Sequence, residues 1–378
     1  MNHRLYRYSQ LTVLAVFTLI LIGSLVTTQG AGMAFADWPL SSNSLNPEGW
    51  WSHLLQRLEH GHRLFAEFTG LLIGILCASV WGKRWALPGA FLVSASLAFA
   101  ASILGVAPRW IALLALGSAS LVFIGILFSG NQSSLPLRSP LSRWLAFAAF
   151  FGVIVQALLG GLRVTIETGG HLQLAMCIRI FHGCFAQIEF CLLVALASTL
   201  SPKVFPDSSV PGLFKIRRLA WLTFAFAFLQ LTLGASIRHL GIALVIPTFP
   251  LASSHSLLPL FSNFDADLHF FHTRIIAFLV ALHIVLLVLN IFRSASFESR
   301  LVQPALVLIG LLVAQITFGV LIIWTYRSPY PTTLHVLNGA ALLATSFLIA
   351  LRATCMKPLP QSEHKSNRHS SFQQGILS

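Results

Sequence analysis

The chain has 378 residues, of which 56% are hydrophobic and 9% charged, against about 25% charged in an ordinary soluble protein. Together with a mean hydropathy of +0.79, this excludes a soluble enzyme, a DNA-binding domain or a disordered tail as the main body. The formal net charge of +13 could serve nucleic acid, but its distribution along the chain gives it another role.

A helix needs roughly 20 apolar residues to cross a ~30 Å hydrocarbon core. In chain order, runs of that kind fall at about 10–29, 60–81, 86–106, 110–129, 143–164, 176–200, 218–237, 268–291, 302–325 and 332–352. The ten runs predict an all-α polytopic membrane protein. With the N-terminus on the inner side, sixteen of the 24 Lys and Arg fall in the N-terminal tail, the inner loops and the C-terminal tail. Only Asp207, Glu298 and Glu363 offset them there, so the whole basic excess is cytoplasmic. That is the positive-inside bias, which fixes orientation and requires no nucleic acid.

The first run has two readings. Arg4, Arg7, an apolar stretch and Ala34-Phe35-Ala36 could form a cleaved signal peptide, or the run is a retained span. The second is favoured because the segment recurs later in the chain. No long Arg- and Ser-rich leader precedes it, so the expected location is a bacterial cytoplasmic membrane. The five cysteines form no disulfide framework or zinc pattern. Cys177, Cys184 and Cys191 repeat every seven residues and are expected to pack one helix face.

An internal repeat organises the rest. Gly23, Gly30, Pro39 and Leu40 return as Gly234, Gly241, Pro250 and Leu251, at an offset of 211. Gln156-Ala-Leu-Leu-Gly160 is matched by Gln315-Ile-Thr-Phe-Gly319. The expected plan is two tandem-repeated four-helix bundles, 1–202 and 203–356, with a helical hairpin inserted at 83–142 and a polar cytoplasmic tail at 357–378.

Four histidines lie inside apolar runs: His62, His182, His272 and His335. Each is on an even-numbered span, within the first one or two predicted turns, so all four are expected at one depth near the outer face. Polar groups at membrane depth are costly and usually functional. Facing imidazoles can hold a haem iron from both sides, and bundle cofactor sites are built from such inward side chains. The natural pairs are His62 with His182 and His272 with His335. Arg63, Arg163, Arg179, Arg238, Arg274 and Arg327 crowd the outer ends of the spans, where guanidinium forks suit carboxylates such as haem propionates.

The halves differ beside these histidines. Glu59 precedes His62 by three residues, on one helix face, and offers a proton acceptor; the matching residue is His269. The first half therefore reads as reactive and the second as an electron-transfer or structural site. His283 reads as packing, and His53, His60, His171, His239 and His255 as solvated or lid residues. Glu67 and Glu189 read as protonated, hydrogen-bonded residues, with a proton path as the alternative.

Glu59-x-x-His62-Arg63, Gly30-Ala-Gly32 to Asp37-Trp38-Pro39, Gly160-Gly-Leu-Arg163-Val-Thr165 and the repeat together resemble the haem A synthase family. The resemblance spans nearly the whole chain apart from 83–142 and the C-terminal tail. It implies an eight-helix core that oxidises the ring methyl of haem O to the formyl group of haem A by successive hydroxylations. Water is then the oxygen source, and electrons leave to an acceptor. It implies His62 and His182 around the substrate haem, His272 and His335 around a permanent haem b, and Glu59 as the catalytic carboxylate. Implied partners are haem O synthase, an electron acceptor and cytochrome oxidase assembly as the destination of product. Two departures stand out: residues 30–58 contain no cysteine pair, and the second half reads His272-Thr273-Arg274 where the family tends to have His-Arg. The competing classes are a di-haem b-type electron carrier that leaves its haem unmodified, and a transporter, suggested by the repeat and the membrane acids.

Overall fold

Inside hydrocarbon every backbone N–H and C=O must find its partner within its own segment, so the apolar runs fold as helices. The structure, a computed structural model, describes residues 3–83, 86–129, 139–201, 210–253, 256–259, 261, 263–294 and 300–356. The helices are α1 (His3–Thr28), α2 (Leu54–Trp81), α3 (Ala86–Ile103), α4 (Pro108–Phe128), α5 (Pro140–Thr168), α6 (Leu172–Thr199), α7 (Leu213–Leu240), α8 (Phe264–Phe270), α9 (Ala277–Ser294), α10 (Val302–Trp324) and α11 (Pro329–Cys355). A π-helical turn, Phe271–Ile276, joins α8 to α9, making one span of Phe264–Ser294. Among the described residues, nine helices are long and apolar enough to cross a membrane, and α3 is a shorter apolar tenth. The protein is an all-α polytopic membrane protein.

Several helices start earlier than the apolar runs, α1 at His3 and α2 at Leu54, because their first turns are polar and extend beyond the hydrophobic stretch. His62, His182 and His272 consequently sit about two to three turns inside their helices rather than in the first one or two, whereas His335 lies in the second turn of α11. The proposed tail at 357–378, the boundary near 202 and His255 lie outside the described residues.

Helix packing closes two rings. In the first, α1, α2, α5 and α6 pack in cyclic order, and in the second α7, α9, α10 and α11 do the same. The rings meet through α1 and α6 on one side and α7 and α11 on the other. The hairpin of α3 and α4 packs on itself and touches the first ring at its edge, through α2 and the Phe123–Phe150 ring contact at 4.2 Å. It lies outside the eight-helix core.

The repeat extends to backbone detail. Trp38–Pro39 and Phe249–Pro250 are both cis peptides at equivalent positions. Arg63 Nη1 donates to the carbonyls of Asp37 and Leu40, both at 2.8 Å. Arg274 Nη2 donates to Thr248 and Leu251, at 2.7 and 3.0 Å. These are the same positions displaced by 211, so each of the two loops is gripped by the arginine that follows it.

The π-helical turn explains the unusual His-Thr-Arg. His62 and Arg63 are adjacent, whereas Thr273 separates His272 from Arg274. One extra residue in a regular helix would rotate everything beyond it by about 100°. A π turn, with its wider i→i+5 closure, absorbs that residue. Beyond it Ile284, Leu287, Val288 and Ile291 are buried, just as Ile73, Leu76, Cys77 and Val80 are 211 positions earlier. Both the histidine face and the core face are thereby kept.

Arg238 ties the halves together. From α7 it donates to the Ser24 carbonyl at 2.8 Å, Thr28 Oγ1 at 2.6 Å and Ser24 Oγ at 3.3 Å, all on α1. Hydrogen bonds from a charged donor contribute about 1.5–3 kcal/mol. Arg238→Ala is therefore expected to lower stability by about 2 kcal/mol, read as a reduced thermal midpoint in detergent, and Arg238→Gln should recover only part of the loss.

Candidate functional site

In each ring the histidine-bearing helices are not neighbours but stand across the bundle. His62 on α2 faces His182 on α6, and His272 in the π-helical turn that leads into α9 faces His335 on α11. Each member of a pair lies within electrostatic reach of its partner. The structure thus brings together the two pairs expected from the repeat.

The other diagonal carries glycines. A Cβ at Gly23 of α1 would lie 3.1 Å from His62 Cε1, and one at Gly160 of α5 would lie 3.5 Å from His182 Cε1. In the second ring, Gly234 of α7 stands 3.0 Å from His272 Cε1 and Gly319 of α10 3.3 Å from His335 Cε1 by the same measure. Every imidazole therefore lies against bare helix backbone. The repeat marks all four glycines by position alone; their role as the floor of the histidine layer appears only when the helices are packed.

Glutamines add a second missed element. Gln156 Nε2 donates to the His182 carbonyl at 3.2 Å and Gln230 Nε2 to the His272 carbonyl at 3.0 Å, fixing the backbone that carries each ring. Gln315 Nε2 lies 3.2 Å from His335 Nε2 while its Oε1 accepts from Asn338 Nδ2 at 2.7 Å. The Nδ1 atoms of His62, His182, His272 and His335 are buried and without a hydrogen-bond partner. Such orphaned polar atoms are costly in a protein interior.

Glu59 is 2% exposed and held from three sides. Its Oε1 pairs with Arg63 Nη2 at 2.7 Å and lies 3.9 Å from Arg163 Nη2, while its Oε2 accepts the Phe35 N–H at 2.9 Å. Arg163 also donates to the Gly32 carbonyl at 2.6 Å. The carboxylate thus pins the loop around Phe35 to the first ring. In the second ring His269 replaces it, 1% exposed, with Nε2 3.0 Å from the Ala243 carbonyl.

Several side chains depart from the sequence reading. Of the two readings for His60, solvated or lid, the structure shows the second: it is 4% exposed, its Nδ1 is 2.9 Å from Ser41 Oγ, and its ring meets Trp50 edge-on at 4.7 Å. It seals the loop because α2 begins earlier than its apolar run. His239 is half-buried, whereas His53 and His171 are exposed. His283 packs against Phe226 and lies 2.8 Å from the Leu279 carbonyl, as expected of a packing residue. Glu67 is exposed on the outer surface of its bundle rather than enclosed. Glu189 is 3% exposed, but neither oxygen has a hydrogen-bond partner. Cys184 and Cys191 are buried and Cys177 exposed; all are free thiols.

The family model for cytochrome oxidase assembly proteins, COX15-CtaA, matches residues 109–348. The chain belongs to that family. It is 23% identical over 370 residues to a heme A synthase of Geobacillus kaustophilus, covering 97% of both chains. It is 24% identical over 345 residues to one of Alkalihalophilus pseudofirmus, covering 89% of this chain and 93% of the relative. A heme A synthase of Symbiobacterium thermophilum is 29% identical over 235 residues, 60% of this chain and 70% of its own. For this COX15-CtaA member, the glycine floor yields a direct check. Overpacking typically costs about 1–3 kcal/mol, so Gly23→Val and Gly234→Val should each lower the detergent thermal midpoint. Gly117→Val, where nothing lies within 4 Å, should leave it unchanged.

Proposed function

We propose that this protein is a haem A synthase, a membrane oxidoreductase that converts the ring methyl of haem O to a formyl group by successive hydroxylations, with water as the oxygen source. The observation that carries this reading is the pair of glycine-backed histidine layers, of which only the first has an acid beside it. The family membership and the named relatives support it.

The residues fit a haem at each layer. Two imidazoles face one another across a bundle, and among the described residues no cluster of three His, Cys, Asp or Glu is present. Such a donor set suits an iron whose remaining ligands come from a porphyrin. We assign His62 and His182 to the substrate haem, and His272 and His335 to a permanent haem b. When bound, the haem iron supplies one-electron redox chemistry.

The protein's own groups divide the remaining work. Glu59, one turn outward from His62, is placed to take up a proton as the substrate is oxidised, with Arg63 and the Phe35 N–H fixing its direction. Arg63, Arg163, Arg238 and Arg274 stand at the outer ends of the bundles and are assigned to the propionates. Arg163, with one short bond to the Gly32 carbonyl, has the most donors to spare. The loops held by Arg63 and Arg274 cover the layers and exclude bulk water. In the second half His269 occupies the place of the acid, in keeping with electron transfer to an acceptor rather than chemistry on the ring.

The proposal extends to setting. Residues 1–202 form the substrate half, with 83–142 inserted, and 203–356 the haem b half. The chain lies in a bacterial cytoplasmic membrane with both termini on the cytoplasmic side. Haem O synthase supplies the substrate, and cytochrome oxidase assembly takes the product.

The test is pigment analysis of protein expressed with a haem O source, beside Glu59→Ala. Haem A or hydroxylated haem O is expected in the wild type, falling about 100-fold or more in the variant, as for loss of a general base. Haem b alone, equal in both proteins, would overturn the reading in favour of a di-haem electron carrier.

A further inference from the structure

Glu189 is the one buried acid of the first bundle that Glu59's chemistry does not explain. It follows His182 by seven residues on α6, which places it on the same helix face and about 10 Å deeper in the membrane. Its carboxyl lies against Gly152 of α5, where a Cβ would collide with it. The first bundle thus has two layers of one design, a polar side chain of α6 over a glycine of α5. His182 lies over Gly160, and Glu189 lies over Gly152 two turns below.

The second bundle lacks the lower layer. The offset that carries His182 onto His335 carries Glu189, Phe190, Cys191 and Leu196 onto Leu342, Leu343, Ala344 and Ile349, all of them buried. The offset that carries Gly160 onto Gly319 carries Gly152 onto Leu311. A carboxyl over a glycine is therefore replaced by two leucines at the same depth. A 3% exposed carboxyl with both oxygens unpaired is expensive within a membrane and marks a function by default. The function must belong to the first half alone.

Haem O and haem B differ in one respect that matches this difference. Haem O carries a hydroxyethylfarnesyl chain where haem B carries a vinyl group, so only haem O brings a hydroxyl to that rim. With propionates at the outer arginines, the hydroxyl-bearing pyrrole would lie on the opposite, inner side of the ring. The reacting methyl shares its pyrrole with a propionate and would lie on the outer side, towards Glu59. We propose that Glu189 is the specificity determinant of the first half, hydrogen-bonding the hydroxyl of the haem O side chain, and that Leu342 and Leu311 suit the second half to the vinyl group of haem B. The cost of the unpaired carboxyl is then recovered only with the ligand that brings a hydroxyl, the usual basis of strong polar discrimination.

The inference rests on the proposed function for its substrate, and its test separates the two. Full-length protein already carrying its resident haem is titrated with haem O or haem B, and absorbance follows the second equivalent. Wild type should favour haem O about tenfold or more. Glu189→Leu should bring the two affinities within about twofold by weakening haem O, whereas Glu189→Gln, which keeps a hydrogen-bonding group, should retain most of the preference. A Glu189→Leu protein with the wild-type preference, or a wild type with none, overturns the inference. Haem A formation is followed in parallel. Discrimination through Glu189 without any haem A keeps this inference and sinks the proposed reaction; haem A with discrimination unchanged in Glu189→Leu does the reverse.

Discussion

Each bundle is organised by the approach of an imidazole ring to a helix backbone that has no side chain to obstruct it. Four such approaches occur, Gly23 to His62, Gly160 to His182, Gly234 to His272 and Gly319 to His335. Histidines occupy one diagonal of each ring and glycines the other. The arrangement leaves each histidine pair facing across the bundle axis, where side chains of ordinary size would otherwise interdigitate at close to crystal density. The outer loops, the arginines that hold them and the contact between halves are arranged around these two layers. Arg238 bonds to Ser24 and Thr28, one residue and about one turn beyond Gly23, so the tie between halves is made next to a histidine layer.

Much of this was legible in the sequence because membrane burial simplifies the signals. Apolar runs announce helices, and a histidine inside a run is conspicuous. The offset of 211 found Gly23 with Gly234 and the two proline-bearing loops, and the Gln-x-x-x-Gly match, at an offset of 159, found Gly160 with Gly319. It could not show that Gly23 and Gly234 serve His62 and His272, because a glycine and the ring it accommodates lie on different helices. The sequence leaves His60 between a solvated and a lid residue because helix α2 starts at Leu54, ahead of its apolar stretch, so a residue at the edge of a hydropathy window is in fact inside the fold. The arginines were read as propionate partners, and the structure shows the carbonyls that Arg63 and Arg274 already hold. That role is invisible in sequence because loop carbonyls have no residue signature.

The two halves keep one scaffold while differing in chemistry, and the differences are local. Thr273 lengthens the second histidine helix by one residue, and a π-helical turn takes up the addition before it can disturb the core. His269 stands where Glu59 stands, and Leu342 where Glu189 stands. Of the three changes, one preserves geometry and two remove acids from the second half. Under the proposed function, a duplicated bundle in this way keeps two similar histidine layers and confines the acids to one of them.

The account depends most on the pairing of histidines across each ring, and haem content per chain in four single variants tests it directly. Purified His62→Ala, His182→Ala, His272→Ala and His335→Ala proteins are compared with wild type for the number and spectrum of bound haems. The first two are predicted to lose one haem and retain the other, and the last two to lose the haem that the first two keep. A variant that loses both haems while remaining folded, or a pair of partners that lose different haems, would contradict the arrangement.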